Sequence, residues 1–313
     1  MITVFKRVFP KSLRVGFSRI FYAGLLALVL LPVSASAKCS RIISLDSGTD
    51  TLVLQLADLE NIVAVRERTQ DPSVSLQWEK ASRVIGLKRE MAEEVYRLHP
   101  DLVFFGQWSG RASRKMLEKL GVRVARLKSP SCWDDVYSNI TNVGDFIGEE
   151  ERADVMIKDI RQHLEWLRKR IEGHGPKRAV FYVGRGSTYG SNSRQNMVME
   201  SAGLINVSAI RGIEGLGKIS VEELLLECPD VIIFSDYKQD TPTISRQILD
   251  HPAFAKLRAD VKLVDMPSNK INCLDGYLVD CVELLARAAY PEAFSEETNA
   301  ESAATGMNTA STH

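Results

Sequence analysis

The sequence predicts an α/β fold of two lobes, each a mostly parallel sheet flanked by helices, joined by one long α-helix with a cleft between the lobes. Two observations support this prediction. A helix-and-strand segment occurs twice, and a long helical pattern separates the two copies. Each copy contains a continuous apolar run, which is typical of a strand buried on both faces of a parallel sheet. The predicted lobes are residues 38–147 and 176–291, and the predicted linking helix is 148–175.

The repeat defines the architecture of each lobe. Residues 92–105 (AEEVYRLHPDLVFF) match residues 221–234 (VEELLLECPDVIIF). Each copy begins as a short amphipathic helix and reaches a proline, which cannot continue a helix. The following apolar run is a strand. Further apolar strands open and close the lobes, at 41–45, 123–127, 178–183 and 262–266. This alternation gives βαβ units with right-handed crossovers.

The linking helix follows from the pattern between Gly148 and Gly173. Apolar residues recur there every three or four positions, as on one face of a helix: Ala153, Ile157, Ile160, Leu164, Leu167 and Ile171. Acidic residues cluster in the first turn and basic residues in the last, which the helix dipole favours. Because a helix is stiffer than flexible connecting strands, we expect only small movements between the lobes.

The first 37 residues predict export to the periplasm. A basic segment is followed by an apolar run from Ile20 to Val33 and by the small residues that end at Ala37, which is the pattern of a cleavable signal peptide. The apolar run is shorter than the roughly 18 residues that a membrane-spanning helix needs. Lys38 precedes Cys39, where a lipoprotein signal has a small residue, so we expect a soluble mature protein.

Composition limits the partners and the redox chemistry. Removal of residues 1–37 leaves 35 basic and 40 acidic residues, a net charge of about −5, which gives no basic footprint for nucleic acid. Five cysteines in an exported chain make one disulfide plausible, but the sequence does not choose the pair. Residues 295–313 are rich in Ser, Thr, Ala, Asn and Glu, and we expect a disordered tail over residues 292–313.

Three motifs resemble catalytic loops, but none has the partners that its chemistry requires. Residues 46–49 (DSGT) match an aspartic protease loop, which needs a second such loop, and the second half has none. Asp46 or Ser47 is instead expected to cap a helix. The glycine spacing at 184–190 departs from the dinucleotide fingerprint, and Ser109 is misplaced for a nucleophile elbow. We expect no enzyme activity, and a secreted aspartic-type hydrolase is only a distant alternative.

The order of the motifs resembles a known family. The matching segments are 45–50 (LDSGTD), 84–86 (VIG), 93–103 (EEVYRLHPDLV), 196–207 (NMVMESAGLINV) and 220–233 (SVEELLLECPDVII). With the linking helix and the signal peptide, they resemble the helix-linked (class III) solute-binding proteins of ABC importers for iron–siderophore complexes, haem and cobalamin. The resemblance runs from Arg41 to Tyr290. It implies a binding component that delivers its ligand to an inner-membrane permease.

The ligand is expected between the lobes, since ligands bind beyond the carboxyl ends of parallel strands. The loops predicted there are 46–50, 66–72, 106–111, 129–133, 184–194, 214–218, 236–240 and 267–273. Basic, aromatic and amide side chains on these loops are the candidate ligand-binding residues: Arg66, Arg68, Trp108, Trp133, Arg185, Tyr189, Lys218, Tyr237 and Asn269.

The type of these residues predicts a metal chelate. Arginine binds anionic oxygens through paired hydrogen bonds, and aromatic rings offer flat apolar area. We therefore favour a ferric siderophore, with cobalamin or another corrinoid, or haem, as alternatives. The family's haem receptors often bind iron through Tyr or His, which keeps Tyr189 and Tyr237 as candidates for haem. The histidines do not converge with carboxylates on these loops, so the metal is expected to arrive within the chelate, with no protein metal ligands and no cofactor.

The resemblance also implies acidic permease contacts at the lobe tips. Glu79 and Glu222 are the candidates, although Glu222 equally suits the first turn of a helix. We expect a monomer. The exact chelate, its affinity and the cognate permease are left open by the sequence.

Overall fold

The structure, a computed structural model, describes residues 39–235 and 261–295. Lobe one is built on five strands: β1 (Ile42–Ser44), β2 (Ile62–Arg66), β3 (Ile85–Leu87), β4 (Leu102–Phe105) and β5 (Arg123–Arg126). All its pairings are parallel, in the order β3-β2-β1-β4-β5. The central strand β1 is buried along its whole length, as its apolar sequence predicts.

The helices of lobe one follow its strands. They are α1 (Ser47–Leu56), α2 (Trp78–Ala81), α3 (Ala92–Arg97), α4 (Arg111–Lys119) and α5 (Trp133–Ile147). Asp46 caps α1 by accepting a hydrogen bond from Gly48 N at 3.2 Å, so the DSGT segment is a helix start, as expected. The linking helix is α6 (Glu150–Arg170), which is slightly shorter than the predicted range.

Lobe two is also built on a parallel sheet flanked by helices. Its strands are β6 (Lys177–Phe181), β7 (Ser187–Tyr189), β8 (Leu204–Asn206), β9 (Leu216–Lys218), β10 (Val231–Phe234) and β11 (Lys262–Asp265). A four-stranded parallel sheet has the order β11-β10-β6-β8, and β7 pairs antiparallel with β9. Its described helices are α7 (Arg194–Ser201), α8 (Val207–Ile210), α9 (Val221–Glu227), α10 (Ser268–Ile271) and α11 (Tyr277–Ala289).

The internal repeat extends to hydrogen bonds at the start of each sheet. Asp101 N donates to Arg41 O at 2.9 Å, and Asp230 N donates to Arg178 O at 2.8 Å. The guanidinium of Arg41 also donates to the carbonyls of Leu98 and His99, just after α3, and that of Arg178 donates to the last carbonyl of α9. Each arginine therefore satisfies carbonyl groups at or just beyond the end of a helix, where partners within the helix are missing.

The two lobes share one apolar core. A single buried cluster contains Phe104 from β4, Ile160 from α6 and Phe181 from β6. Ala153, Ile160 and Leu167 form the buried stripe of α6, which packs against α5 and α11. Gly148 ends α5 with a φ of 71°, a conformation that suits glycine, and lets α6 start in a new direction. The predicted long linking helix and the two-lobe fold are thus confirmed.

Two further features differ from the sequence-based expectations. A 3₁₀ turn at Pro291–Phe294 buries Phe294 against Trp166, with ring centroids 6.0 Å apart, so the ordered part reaches into the predicted tail. Residues 296–313 of that tail, and the predicted signal peptide, lie outside the described residues.

All five cysteines are free thiols, and the disulfide that the sequence made plausible is absent. None of the helices in the described ranges is long and apolar enough to cross a membrane.

Candidate functional site

A cleft of about 480 Å³ lies between the lobes. Its walls come from loops after β4 and β5 in lobe one, and from the β7–α7 connection and β9 in lobe two. A smaller hollow of about 260 Å³ adjoins it and shares Tyr189, Gln195 and Asn272 with it. Both hollows belong to one cleft, and its size is typical of a small-molecule site. Of the seven predicted loops within the described residues, five contribute to its walls.

The lobe-one wall combines a fixed polar edge with an exposed ring. The Gln107 side chain accepts a hydrogen bond from Ser129 N at 2.7 Å, which ties the loop after β4 to the loop after β5. Trp108 lines the cleft and is 84% exposed. An exposed ring of this size offers flat apolar surface to a ligand.

The lobe-two wall presents Tyr189 and Leu216. Tyr189 packs edge-on against Phe181, with ring centroids 6.2 Å apart. This contact with Phe181 fixes the orientation of the Tyr189 ring. Leu216 is 67% exposed and lines the same cleft. Ser193 caps α7 by accepting from Asn196 N at 3.1 Å, which fixes the start of that helix at the cleft.

Arg194, the first residue of α7, is a partly buried cation that lines the cleft. Its guanidinium donates to Ile271 O at 2.9 Å, to Cys273 O at 3.0 Å and to the Ser129 hydroxyl of lobe one at 3.2 Å. Within residues 39–235 and 261–295, its buried Nε has no acceptor. Buried cations normally have an anionic partner, because desolvation of an isolated charge is costly.

The electrostatics of Arg194 follow from its burial. Burial lowers the pKa of the guanidinium, and the nearby negative charge of Asp46 acts in the opposite direction. Arginine nevertheless remains protonated at physiological pH. The cleft therefore contains a fixed positive charge whose described contacts are neutral oxygens.

Comparison with known proteins assigns the family. A model of the family described as "Periplasmic binding protein" matches residues 42–262, which is well over half of the chain. This chain belongs to the periplasmic binding protein family. It is thus a solute-binding component of ABC import in a family of non-enzymatic proteins.

Individual relatives agree with this assignment. The binding protein is 24% identical over 225 residues to the Vitamin B12-binding protein of Yersinia pestis (strain Pestoides F), covering 71% of this chain and 77% of the relative. A periplasmic heme binding protein from Pseudomonas aeruginosa shares 25% identity, with a TM-score of 0.67 and coverage of 81% and 93%. A periplasmic vitamin B12 binding protein of Vibrio cholerae shares the fold, with 19% identity, a TM-score of 0.64 and coverage of 80% and 97%.

Of the predicted ligand-binding residues, the structure brings Trp108 and Tyr189 into the cleft of the binding protein. Trp133 is the first residue of α5 and packs against the shared core. Its indole N–H donates to Ser201 Oγ at 2.8 Å, so the side chain joins the lobes. Asn269 makes another contact between the lobes by donating to Pro72 O at 3.2 Å. Neither of these two lines the cleft.

Arg66 ends β2 and is paired within its own lobe. Its guanidinium donates to Glu90 Oε1 at 2.7 Å. Burial raises the pKa of Glu90, and the Arg66 charge opposes that rise. The Arg66 backbone N–H donates to the buried Asp50 carboxyl at 3.0 Å, and Thr69 Oγ1 donates to the same oxygen at 2.6 Å. Arg66 thus already has an anionic partner at the strand ends of lobe one.

The remaining predicted binding residues have other positions. Arg68 is exposed in the 3₁₀ turn after β2, and Lys218 is exposed at the end of β9, where Nζ donates to Ser187 Oγ at 2.9 Å. Arg185 belongs to the 3₁₀ turn after β6, but its side chain lies outside the described part of the structure. Tyr237 also lies outside the described residues.

The two predicted docking acids are both on helix surfaces of the binding protein. Glu79 is exposed in the first turn of α2, in lobe one. Glu222 is exposed in the first turn of α9, in lobe two, where Ser220 and Glu223 form a capping box. They lie on α2 and α9, in different lobes.

A larger cavity, about 580 Å³, lies beside the linking helix and is not the ligand cleft. It is lined by α1, α6 and the start of α11, with Met156, Ile160 and Val279 among its apolar walls. The carboxyl ends of the strands, where α/β sheets bind ligands, do not reach it. Within the described ranges, no three His, Cys, Asp or Glu side chains are grouped so as to hold a metal ion.

The sequence missed Arg194 and Leu216. Arg194 is the last residue of a predicted loop, but an arginine in the first turn of a helix carries no sequence signal of burial. Its neighbour Ser193, a residue type favoured at N-caps, was the usable sign that a helix starts at this loop. Leu216 lies in the predicted loop 214–218, but only the basic, aromatic and amide side chains of these loops were taken as candidates.

Proposed function

We propose that this binding protein captures an anionic metal chelate with an apolar face in the cleft between its lobes. It delivers the chelate to an inner-membrane ABC permease. Ferric siderophores and haem share the relevant chemistry, which is anionic oxygens beside a flat apolar group. Residues 1–37 are the proposed export signal, and the mature protein acts in the periplasm as a monomer. No resident cofactor is part of the proposal.

The buried guanidinium of Arg194 is the observation that carries this proposal. Its Nε has no described acceptor, and the side chain lines the cleft. A carboxylate or catecholate oxygen in the cleft beside this side chain gains a favourable interaction with its positive charge, which is strong in a site of low dielectric. The three neutral oxygens around the guanidinium hold it in place before the ligand arrives, so little ordering is needed on binding.

Apolar contacts supply the second half of the recognition. Trp108 and Leu216 are exposed on opposite walls, and Tyr189 is fixed between the two hollows. Their surfaces are buried when a flat ligand enters, which releases water from apolar area. Among the nine residues predicted for binding, Trp108 and Tyr189 therefore remain in the proposed site, with Arg194 and Leu216 added. Arg185 and Tyr237 stay as candidates on the basis of sequence alone.

A corrinoid is the second candidate ligand. The curated relatives reported above are vitamin B12-binding proteins, and the sequence resemblance includes cobalamin receptors. A corrinoid is rich in amides and carries little net charge, so it depends less on Arg194 and more on the polar groups of Gln107 and Asn192. The two candidates are separated by the effect of the Arg194 charge on affinity.

Permease docking is proposed to use Glu79 and Glu222. Each is an exposed carboxylate on a separate lobe, so the pair is able to contact two subunits or two halves of one permease. Charged contacts of this kind mainly steer association. Exchange of both residues for Gln should slow transport in cells while ligand affinity in solution stays unchanged.

Quenching of tryptophan fluorescence tests the ligand class directly. The panel contains haemin, ferric catecholate and ferric hydroxamate siderophores, and cyanocobalamin. Stoichiometric binding of haemin or a ferric catecholate supports the anionic-chelate proposal, whereas binding of cyanocobalamin alone selects the corrinoid. Failure of the folded protein to bind any of them overturns both.

Arginine variants then test the site. Arg194→Met removes the charge, and Arg194→Lys keeps it but cannot make the paired hydrogen bonds. Loss of one charge-assisted hydrogen bond should weaken an anionic chelate by about 1.5–3 kcal/mol. Arg168→Met, at an exposed position of α6, is the matched control and should bind normally. Urea unfolding of each variant separates loss of the site from loss of the fold.

A further inference from the structure

We propose that Asp275 links ligand capture to proton uptake: its carboxyl group binds a proton more strongly once an anionic chelate contacts Arg194. The inference concerns regulation of the cleft and rests on the proposed anionic ligand. Acidification would then tighten ligand capture, and alkalinisation would weaken it.

The first basis for this inference is the position of Asp275 where the lobes meet. The side chain is completely buried, and it accepts a hydrogen bond from Gln55 Nε2 of lobe one at 2.7 Å and from Tyr277 N at 3.0 Å. The Tyr277 hydroxyl accepts from Gln77 Nε2 of lobe one, also at 2.7 Å. Residues 275–277 therefore form a polar bridge between lobe two and lobe one.

The second basis is the continuity between this bridge and the cleft. Arg194 donates to the carbonyl of Cys273, two residues before Asp275. The backbone of residue 272 packs closely against Gly48 of α1, since a side chain at Gly48 would place its Cβ 2.8 Å from Asn272 O. A change in the charge of Asp275 is thus felt in the segment that holds the Arg194 guanidinium.

The charges around Asp275 set the direction of the coupling. Burial raises the pKa of Asp275 to about 7, while the hydrogen bonds from Tyr277 N and Gln55 oppose the rise. Of the nearby charges, the negative charge of Asp280 raises this pKa and the positive charge of Arg194 lowers it. A bound anion offsets the Arg194 charge, so the pKa of Asp275 rises further when the cleft is filled.

Other ionisable groups lie around this position. On the same side of lobe two, Lys270 is paired with Asp280 at 2.8 Å. The thiols of Cys273 and Cys281 have pKa values raised by burial, so they stay protonated near neutrality. On α6, Glu151, Arg152, Asp159 and His163 line the cavity that Gln55 and Gly276 share, and His163 is paired with Glu283 at 2.8 Å.

The linkage fixes the sign of the pH dependence. Above both pKa values of Asp275, the carboxylate is ionised with and without ligand, and affinity is lowest. The pKa of Asp275 is about 7 in the ligand-free protein and higher in the complex. Between these two pKa values, ligand binding is accompanied by uptake of a proton at Asp275, so affinity rises as the pH falls through this interval. Affinity then rises by about tenfold for each unit by which the ligand raises the pKa.

Haemin binding measured at pH 6 and pH 8.5 tests the inference. The wild type should bind more tightly at pH 6, with proton uptake visible by calorimetry in two buffers of different ionisation enthalpy. Asp275→Asn, which resembles the protonated group, should bind equally at both pH values. The matched control Asp280→Asn should keep a pH dependence, shifted to lower pH because the negative charge of Asp280 raises the pKa of Asp275. Cyanocobalamin, which has little net charge, should show no proton uptake with either protein.

The outcomes separate the two proposals. Absence of haemin binding at both pH values overturns the proposed anionic ligand. Haemin binding without pH dependence, or with a pH dependence that survives in a folded Asp275→Asn, overturns the proton linkage alone. A carbon-13 titration of the ligand-free protein adds a direct readout, because a pKa for Asp275 below about 5 also contradicts the linkage.

Discussion

The indole N–H of Trp133 donates to the hydroxyl of Ser201 at 2.8 Å, which joins the start of α5 to the end of α7. The Ser201 hydroxyl in turn donates to Met197 O, also at 2.8 Å, so it acts as both acceptor and donor. The Trp133 ring packs beside Tyr137 on the shared core. This contact fixes the lobes near the cleft without taking part in its walls.

Trp133→Phe should therefore lower the stability of the protein rather than its affinity for ligand. The lost hydrogen bond contributes about 0.5–1.5 kcal/mol to the free energy of unfolding, and the smaller ring adds a packing cost. Urea unfolding of Trp133→Phe, Ser201→Ala and the double variant measures the coupling between the two side chains. Additive effects of the two changes would contradict a direct bond.

Trp108→Ala should give the opposite result. Its ring is 84% exposed in the cleft, so the free energy of unfolding should change by less than about 0.5 kcal/mol. The dissociation constant of the ligand should rise tenfold or more, because a large apolar contact area is lost. The same substitution at Trp78, which is 39% exposed on α2 and away from the cleft, is the control for fluorescence. An unchanged affinity would remove Trp108 from the site.

The buried carboxyl groups predict how stability depends on pH. Burial raises the pKa of Asp50 to about 7, while hydrogen bonds from Ser44, Thr69 and the Arg66 backbone oppose the rise. The folded protein then holds a proton that the unfolded chain releases near pH 4, so stability is lost as the pH rises and levels off above about 7. Between about pH 4 and pH 7, each buried carboxyl group of this kind lowers the free energy of unfolding by about 1.4 kcal/mol for each unit of pH increase.

Urea unfolding between pH 5 and pH 8.5 measures this slope. Asp50→Asn should remove its share of the slope and also lower stability, since an amide N–H₂ cannot accept the hydrogen bonds that the carboxyl group now accepts. A variant with the wild-type slope would show that Asp50 is ionised in the folded protein throughout this range.

The cysteines should fall into two reactivity classes. Cys132 and Cys228 are exposed, and Cys39, Cys273 and Cys281 are buried. Burial raises the pKa of all three buried thiols, which lowers their thiolate content further. A thiol reagent should label two cysteines in the folded protein and five after unfolding under reducing conditions. Labelling of fewer than five after unfolding without reductant would indicate a disulfide.

The linking helix predicts a small conformational change on binding. The buried stripe of α6 packs on α5 and α11, so bending the helix would break hydrogen bonds or expose apolar surface. Small-angle scattering curves of the ligand-free and ligand-saturated protein should nearly superimpose. Two glycines inserted after Arg161 would turn the rest of α6 by about 200°, move Leu167 off the core and weaken binding. The same insertion after Gly121, where the structure leaves open space, is the control.

Most of the fold was predictable because its signals are local. The repeated helix and strand, the capping Asp46 and the apolar stripe of α6 are all encoded by periodicity within short windows. The loops at the strand ends were predictable for the same reason, since the order of strands and helices fixes which ends face the cleft. The length of α6 was overestimated slightly, because helix ends depend on caps such as Gly148.

The sequence by itself therefore determined the two lobes, the linking helix and the loops that hold the cleft. Only the tertiary structure decided which side chains enter it. Arg66 is held by Glu90, 24 residues away, whereas Arg194 is buried against carbonyls of residues 271 and 273. Trp133 is bonded to Ser201 across the lobes, while Trp108 stays exposed. Two residues of the same type thus have different roles. Burial and charge pairing depend on contacts with segments that are distant in the sequence, and local sequence patterns do not reveal those contacts.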